Sequence, residues 1–201
     1  MKTEELFDSQ LDEIKLKHAI GAAVVGAALS LSGNHSGKAP DPVTRSITKQ
    51  QSSTKDVNSD ELAQIVMKHY NVNKEQAKKI VDTVKKHAKP TFPKVIDLLA
   101  IIGIESGFNP NAKSNLKHDP AIGLTQIRPK MWGLDASSLK SNIEQQIKKS
   151  VEILAHNYER LGNKDDAVHA YNIGISNVIH DKKPNLKYVQ KWKEELKKYD
   201  I

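Results

Sequence analysis

The 201-residue sequence contains no cysteine. That absence excludes a disulfide scaffold, a thiol nucleophile and any cysteine-ligated zinc or iron–sulfur centre, so chemistry must come from other side chains. Histidine does not fill the gap. The eight histidines are scattered, His-Glu-x-x-His is missing, and His156, His169 and His180 lack ligand-like spacing, so no metal site is expected. Glycine-rich phosphate loops and a Gly-x-Ser-x-Gly elbow are also missing. No cofactor is implied. Aromatic residues make up only 5% of the chain, and no compact Lys/Arg run is interleaved with them. The lysines near the C-terminus (Lys187, Lys191, Lys193, Lys197, Lys198) alternate with Glu194 and Glu195, the pattern of a solvated helix face rather than a nucleic-acid groove. No nucleic-acid partner is expected. The net charge of +7 favours anionic partners without choosing among them.

Long apolar runs are lacking too. The longest uncharged stretch of note, residues 19–31, has thirteen residues, short of the roughly 20 that a membrane span needs. It has the length of a signal-peptide core with small residues after it. Its flank argues otherwise, because eighteen residues precede it and carry five acids against three lysines, where a secretory leader begins short and positive. Leu6, Phe7, Leu11, Ile14 and His18 recur at helical spacing among those acids. Gly21 and Gly26 would suit close helix packing or a membrane-interacting element. Three readings of residues 1–32 stay open: a membrane-active or virion-packaging segment, an atypical signal or anchor, and an ordinary apolar helix. Residues 33–57 are poor in apolar side chains and read as a linker.

Helical signals dominate from residue 58 onward. Asn58 followed by Glu61 has the form of a capping box, and Leu62, Ile65, Val66 and Tyr70 give a helix to about Asn71. A second helix follows Asn73, with Ala77, Ile80, Val81 and Val84 on one face, and Pro90 and Pro93 stop it. Further helices are predicted at 142–161, 164–173 and 187–199. No convincing period-2 strand and no internal repeat is present, so the fold class is all-α.

The segment from Lys94 to Ser106 is the most informative. Val95, Ile96, Leu98, Leu99, Ala100, Ile101, Ile102 and Ile104 leave almost no polar face, which predicts a helix buried all round. Glu105 sits at its end. Desolvation and the negative end of the helix dipole both disfavour a carboxylate there, so both raise its pKa. A raised pKa suits a general acid that must hold a proton near neutrality.

Three motifs follow in order: Glu105-Ser106-Gly107-Phe108-Asn109-Pro110, Gly123-Leu124-Thr125-Gln126-Ile127 and Ala170-Tyr171-Asn172-Ile173-Gly174. Smaller agreements are Asn111-Ala112-Lys113-Ser114, Asn142-Ile143 and Tyr188-Val189. Together they resemble the soluble lytic transglycosylase domain, a relative of goose-type lysozyme, over roughly residues 75–195. The resemblance divides the chain into residues 1–32, a linker at 33–57 and a lysozyme-like helical catalytic domain at 58–201.

The resemblance implies that Glu105 is the sole catalytic acid/base. It would cleave the β-1,4 bond between N-acetylmuramic acid and N-acetylglucosamine in peptidoglycan glycan strands, leaving a 1,6-anhydro end. Substrate contacts are implied for Ser106, Ser114, Gln126, Tyr171 and Asn172. Ser114 would lie near the substrate's acetamido group or Glu105, and the Tyr171 hydroxyl would reach Glu105 or the departing oxygen. Thr125 stands where the family usually has methionine, which removes one apolar contact with the sugar. Ordinary glycosidases hold two carboxyls about 5–9.5 Å apart. Asp97 lies eight residues before Glu105, about 12 Å away along a helix, too far to be a partner. Asp119 and Asp135 read as loop or cap aspartates, and if either reached the far face of the sugar the product would be hydrolytic. A non-catalytic peptidoglycan-binding or virion structural protein is the other alternative. The expected place of action is the bacterial envelope or periplasm. The acidic amphipathic start, the short apolar run and the lack of a clean export signal or lipobox fit a bacteriophage protein that opens the wall locally, either from the virion or during lysis.

Overall fold

The computed structural model describes residues 58–180 and 186–200. The segments read above as 1–32 and 33–57 lie outside the described residues. The described chain is mostly helical, with helices α1 (Ser59–His69), α2 (Lys74–His87), α3 (Val95–Ser106), α4 (Ala136–Ser141), α5 (Ile143–Leu161), α6 (Lys164–Ile173), α7 (Ile175–Ile179) and α8 (Lys187–Leu196). Two short 3-10 turns, Lys130–Trp132 and Lys197–Tyr199, complete it. Among the described residues there is no strand, only isolated bridges of Ile122 with Lys113 and with Ile127.

Asparagine starts four of the helices. The side chains of Asn58, Asn73, Asn142 and Asn163 accept hydrogen bonds from the backbone N–H groups of Asp60, Gln76, Gln145 and Asp166, satisfying donors that have no partner inside the helix. The first differs from the capping box expected at Asn58, since its bond goes two residues on, to Asp60, at 3.2 Å. Helix α3 has no such cap. Its first turn is closed from inside by Asp97, whose Oδ2 accepts the Lys94 N–H at 2.8 Å.

Helix α3 occupies the centre. Leu98, Leu99, Ala100, Ile101 and Ile102 are all fully buried, surrounded by Leu62 and Val66 of α1, Ile80, Val81 and Val84 of α2, Ile147 and Leu154 of α5, Val168 of α6 and Val189 and Trp192 of α8. The burial is not complete along its length: Val95 and Ile96 at one end and Gly103 to Ser106 at the other are half-buried. A helix whose middle is enclosed and whose last turn reaches the surface can present a side chain there from a rigid base. Helix α4, helix α7 and the 3-10 turn at Lys130 carry too short an apolar pattern to have been read from sequence.

The segment between α3 and α4 is irregular, and its backbone groups are satisfied by a few specific bonds. Ile122 and Ile127 exchange both N–H···O bonds, at 2.8 and 3.1 Å, and Gly123 N–H donates to Ala112 O at 2.8 Å. Buried Gln146 of α5 holds this segment from below. Its Oε1 accepts the Leu124 N–H at 2.8 Å, its Nε2 donates to Leu139 O at 2.9 Å, and its own carbonyl accepts the Thr125 hydroxyl at 3.1 Å. Gly123 must be glycine here on two counts: its φ is +80°, and a Cβ would overlap the Gln146 amide. Replacing Gln146 by leucine orphans the buried Leu124 N–H, at a cost of about 1–3 kcal/mol, and leaves the Leu139 carbonyl with the Asn142 N–H alone. Gln146→Leu should therefore lower unfolding stability by about 1–3 kcal/mol, read from the denaturant midpoint, and an unchanged midpoint would contradict this role.

Candidate active site

The site is built on the way α3 ends. Gly107 takes the left-handed conformation and its N–H returns to Gly103 O at 3.1 Å. Phe108 follows with φ of +64°, a conformation costly for a side-chain-bearing residue. Burial holds it there: the Phe108 ring is fully enclosed and lies 4.6 Å from the Tyr70 ring, while Gln76 Nε2 donates to its carbonyl at 2.9 Å. The chain thus turns sharply away directly after Glu105 and Ser106.

Ser106 faces the loop rather than open space. Its hydroxyl lies 2.8 Å from Leu124 O and 3.2 Å from Ile102 O, tying the end of α3 to the Gly123–Ile127 turn. Gln126 has φ of +50° and its Nε2 donates to Gly123 O at 3.0 Å. Ser114 Oγ accepts the Ala121 N–H at 2.8 Å, and its own N–H donates to Ala121 O at 3.0 Å, so it clasps the neck of the Asn115 to Pro120 loop. Asn172 is exposed on α6. Of the five side chains assigned to substrate, Ser106, Ser114 and Gln126 are thus engaged in holding loop backbone.

Tyr171 makes a different bond from the one expected with Glu105. Its hydroxyl donates to Thr125 O at 2.7 Å, not to Glu105. The physical reason is the buried Thr125 carbonyl, which belongs to an irregular turn and needs a donor. The tyrosine that donates to Glu105 Oε1 is Tyr188 of α8. In the sequence Tyr188 stands out only through the minor Tyr188-Val189 agreement. The signal available was a tyrosine on the buried face of the last helix, and nothing in linear sequence says which of two phenols meets the carboxyl.

Burial pushes the Glu105 pKa from the ordinary 4.5 up to about 7, and the Tyr188 hydrogen bond opposes that rise by favouring the carboxylate. Tyr171 and Tyr188 are both raised well above the usual tyrosine range, by burial first and then by the Glu105 charge. Near pH 7 two neutral phenols therefore flank a carboxyl poised between its two forms. The other acids are committed elsewhere. Asp97 caps the far end of α3. Asp119 accepts the N–H groups of Lys130 and Met131 at 3.0 and 3.2 Å and pairs with Arg128, and Asp135 caps α4 through Ser138 N–H at 2.6 Å. Among the described residues no group of three or more His, Asp or Glu is placed to hold a metal ion, and no helix is long and apolar enough to cross a membrane.

These features define a helical domain organised around one half-buried, protonatable glutamate at the end of its central helix. The model of the transglycosylase SLT domain family matches residues 82–193, more than half of the chain. The chain belongs to this family, which places it with the peptidoglycan lytic transglycosylases. Neither the curated proteins nor the solved structures give a match.

The raised pKa has a stability consequence with a definite sign. Between about pH 4.5 and 7 the folded protein holds a proton on Glu105 that the unfolded chain releases, so this group's contribution is favourable below pH 4.5 and is lost as pH rises through 7. The difference corresponds to roughly 3 kcal/mol at full effect. Glu105→Gln should accordingly gain stability over wild type as pH rises from 4 to 8, by on the order of 1–3 kcal/mol in denaturant unfolding. A difference that stays constant across that range would contradict the assigned burial effect.

Proposed function

We propose that Glu105 is the single acid/base of a non-hydrolytic cleavage of the bond between N-acetylmuramic acid and N-acetylglucosamine. The observation that carries this reading is a carboxyl whose burial holds its pKa at about 7 while one phenol stabilises its ionised form. In the first step neutral Glu105 gives its proton to the glycosidic oxygen, the C1–O bond breaks, and positive charge develops at C1. The carboxylate left behind is stabilised by the Tyr188 hydroxyl. In the second step the muramyl C6 hydroxyl attacks C1 and gives its proton to Glu105, closing a 1,6-anhydro ring and returning the carboxyl to its starting form. No water is consumed, and no second carboxyl is needed. A pKa near neutrality serves both halves, because the group must be a competent acid and then a competent base.

The occupation of both Asp119 oxygens and of Asp135 by backbone N–H groups supports this reading over a hydrolytic one. We further propose that residues 1–32 bring the domain to its substrate through membrane or virion contact, in a bacteriophage protein acting on the bacterial envelope. The acidic amphipathic start and the short apolar run after it support that setting. Finding the chain in purified virions is the expected result, and finding it only in the periplasm of uninfected bacteria would end the phage reading.

Digestion of purified sacculi should release muropeptides lighter by one water than hydrolysed ones, by mass spectrometry. Glu105→Gln should reduce their rate of release at least about 100-fold, with the wild-type rate falling as pH rises above about 7. Purely hydrolysed products would refute the anhydro mechanism, and equal lysis by Glu105→Gln would refute the role of Glu105.

A further inference from the structure

Helix α8 meets α3 at two polar points on one face. Tyr188 and Glu195 are seven residues apart on α8, two helical turns, which puts both on the side facing α3. Tyr188 reaches Glu105. Glu195 reaches Gly103 of α3, two residues earlier, with Tyr70 wedged between: a Cβ on Gly103 would collide with the Tyr70 hydroxyl and stand 2.7 Å from Glu195 Oε2. The Tyr70 hydroxyl donates to Glu195 Oε2. Lys198 closes the group, its Nζ 2.5 Å from Glu195 Oε1, 3.1 Å from the Tyr70 hydroxyl and 4.8 Å from the centre of the Tyr70 ring. Tyr70 itself is anchored at the end of α1, its ring against Phe108.

We propose that Tyr70, Glu195 and Lys198, seated on the bare backbone of Gly103, form a positioning latch that fixes α8 against α3 and thereby holds the Tyr188 hydroxyl on Glu105. The apolar contacts of Val189 and Trp192 keep α8 on the core, but apolar packing is non-directional. It does not by itself set the rotation and height of a helix to the fraction of an ångström that a hydrogen bond requires. The latch does, because it joins three elements through directional, charge-assisted bonds at a place where glycine removes any side chain that would hold them apart. None of its members hydrogen-bonds Glu105, whose partner is Tyr188, so they act through Tyr188. The groups facing Glu105 are Tyr188 of α8 and Tyr171 of α6, and those facing Tyr70 are Glu195, Lys198 and Tyr199.

The latch rests on the reading of Glu105 as the acid/base for its functional meaning, so its test is made without turnover. The Glu105 carboxyl is titrated by 13C NMR in the full chain labelled at glutamate, in wild type, Tyr70→Phe, Tyr188→Phe and the double variant. Tyr188→Phe removes the bond that favours the carboxylate and should move the titration midpoint upward. Tyr70→Phe keeps its ring on Phe108 and loses only the hydroxyl; it should move the midpoint the same way, by about half a pH unit or more, and add nothing in the Tyr188→Phe background. If Tyr70→Phe fails to fold by circular dichroism, Glu195→Ala takes its place with the same expectation. A wild-type midpoint in the folded latch variant, or an equal further shift in the Tyr188→Phe background, would overturn the latch whatever the activity. Failure of the glycan-cleavage reading would show separately, as wild-type protein that yields no anhydro muropeptides.

Discussion

The structure depends on one costly placement: a largely desolvated carboxyl at the end of an apolar helix. Burial disfavours the charged form of Glu105 strongly enough to bring its pKa to about 7, and among the described residues no cation cancels that effect. The protein offers a phenol instead. Tyr188 stabilises the carboxylate without a formal charge, so neither protonation state is locked in. A lysine in the same place would fix the carboxylate and remove the acid, whereas complete apolar enclosure would fix the acid and remove the base.

Much of the surrounding fold serves to keep that carboxyl where it is. The fully buried middle of α3 gives a stiff shaft, and the left-handed pair Gly107 and Phe108 turns the chain aside immediately beyond it. Ser106 and Tyr171 pin the Gly123–Ile127 turn to the end of α3 and to α6 by bonds to adjacent carbonyls, those of Leu124 and Thr125, while Gln146 holds the same turn from α5. Irregular backbone is rigid only if its polar groups are satisfied one by one, which explains why so many motif side chains are spent on backbone rather than pointed at open space.

How much of this was legible in the sequence varied with the range of the interaction. The helices of the core could be read because their apolar spacing and asparagine caps are local: Ala77, Ile80, Val81 and Val84 mark α2, and Asn142 and Asn163 mark the starts of α5 and α6. Glu105 was legible because a glutamate closing an apolar run is itself a local anomaly. Short helix α4 escaped because it contributes one buried residue, Leu139, too little for any periodicity. The hydrogen-bond partners of Tyr171 and Tyr188 escaped for a different reason. Both are tyrosines on buried faces of C-terminal helices, and the choice between Thr125 and Glu105 as partner is made by the tertiary packing of α6 and α8. The partnership of Tyr70 with Glu195 spans 125 residues, and sequence alone carries no sign of it.

The central claim is that the protein keeps one glutamate half-protonated near neutrality by burial. Direct observation of the Glu105 carboxyl in the wild-type protein by 13C NMR across pH 3 to 9 tests it most plainly. A midpoint near 7 is the result that the buried geometry requires. A midpoint at the ordinary 4.5 of an exposed glutamate would mean that the carboxyl is solvated in solution, and the account of a single residue serving as acid and then base would fail with it.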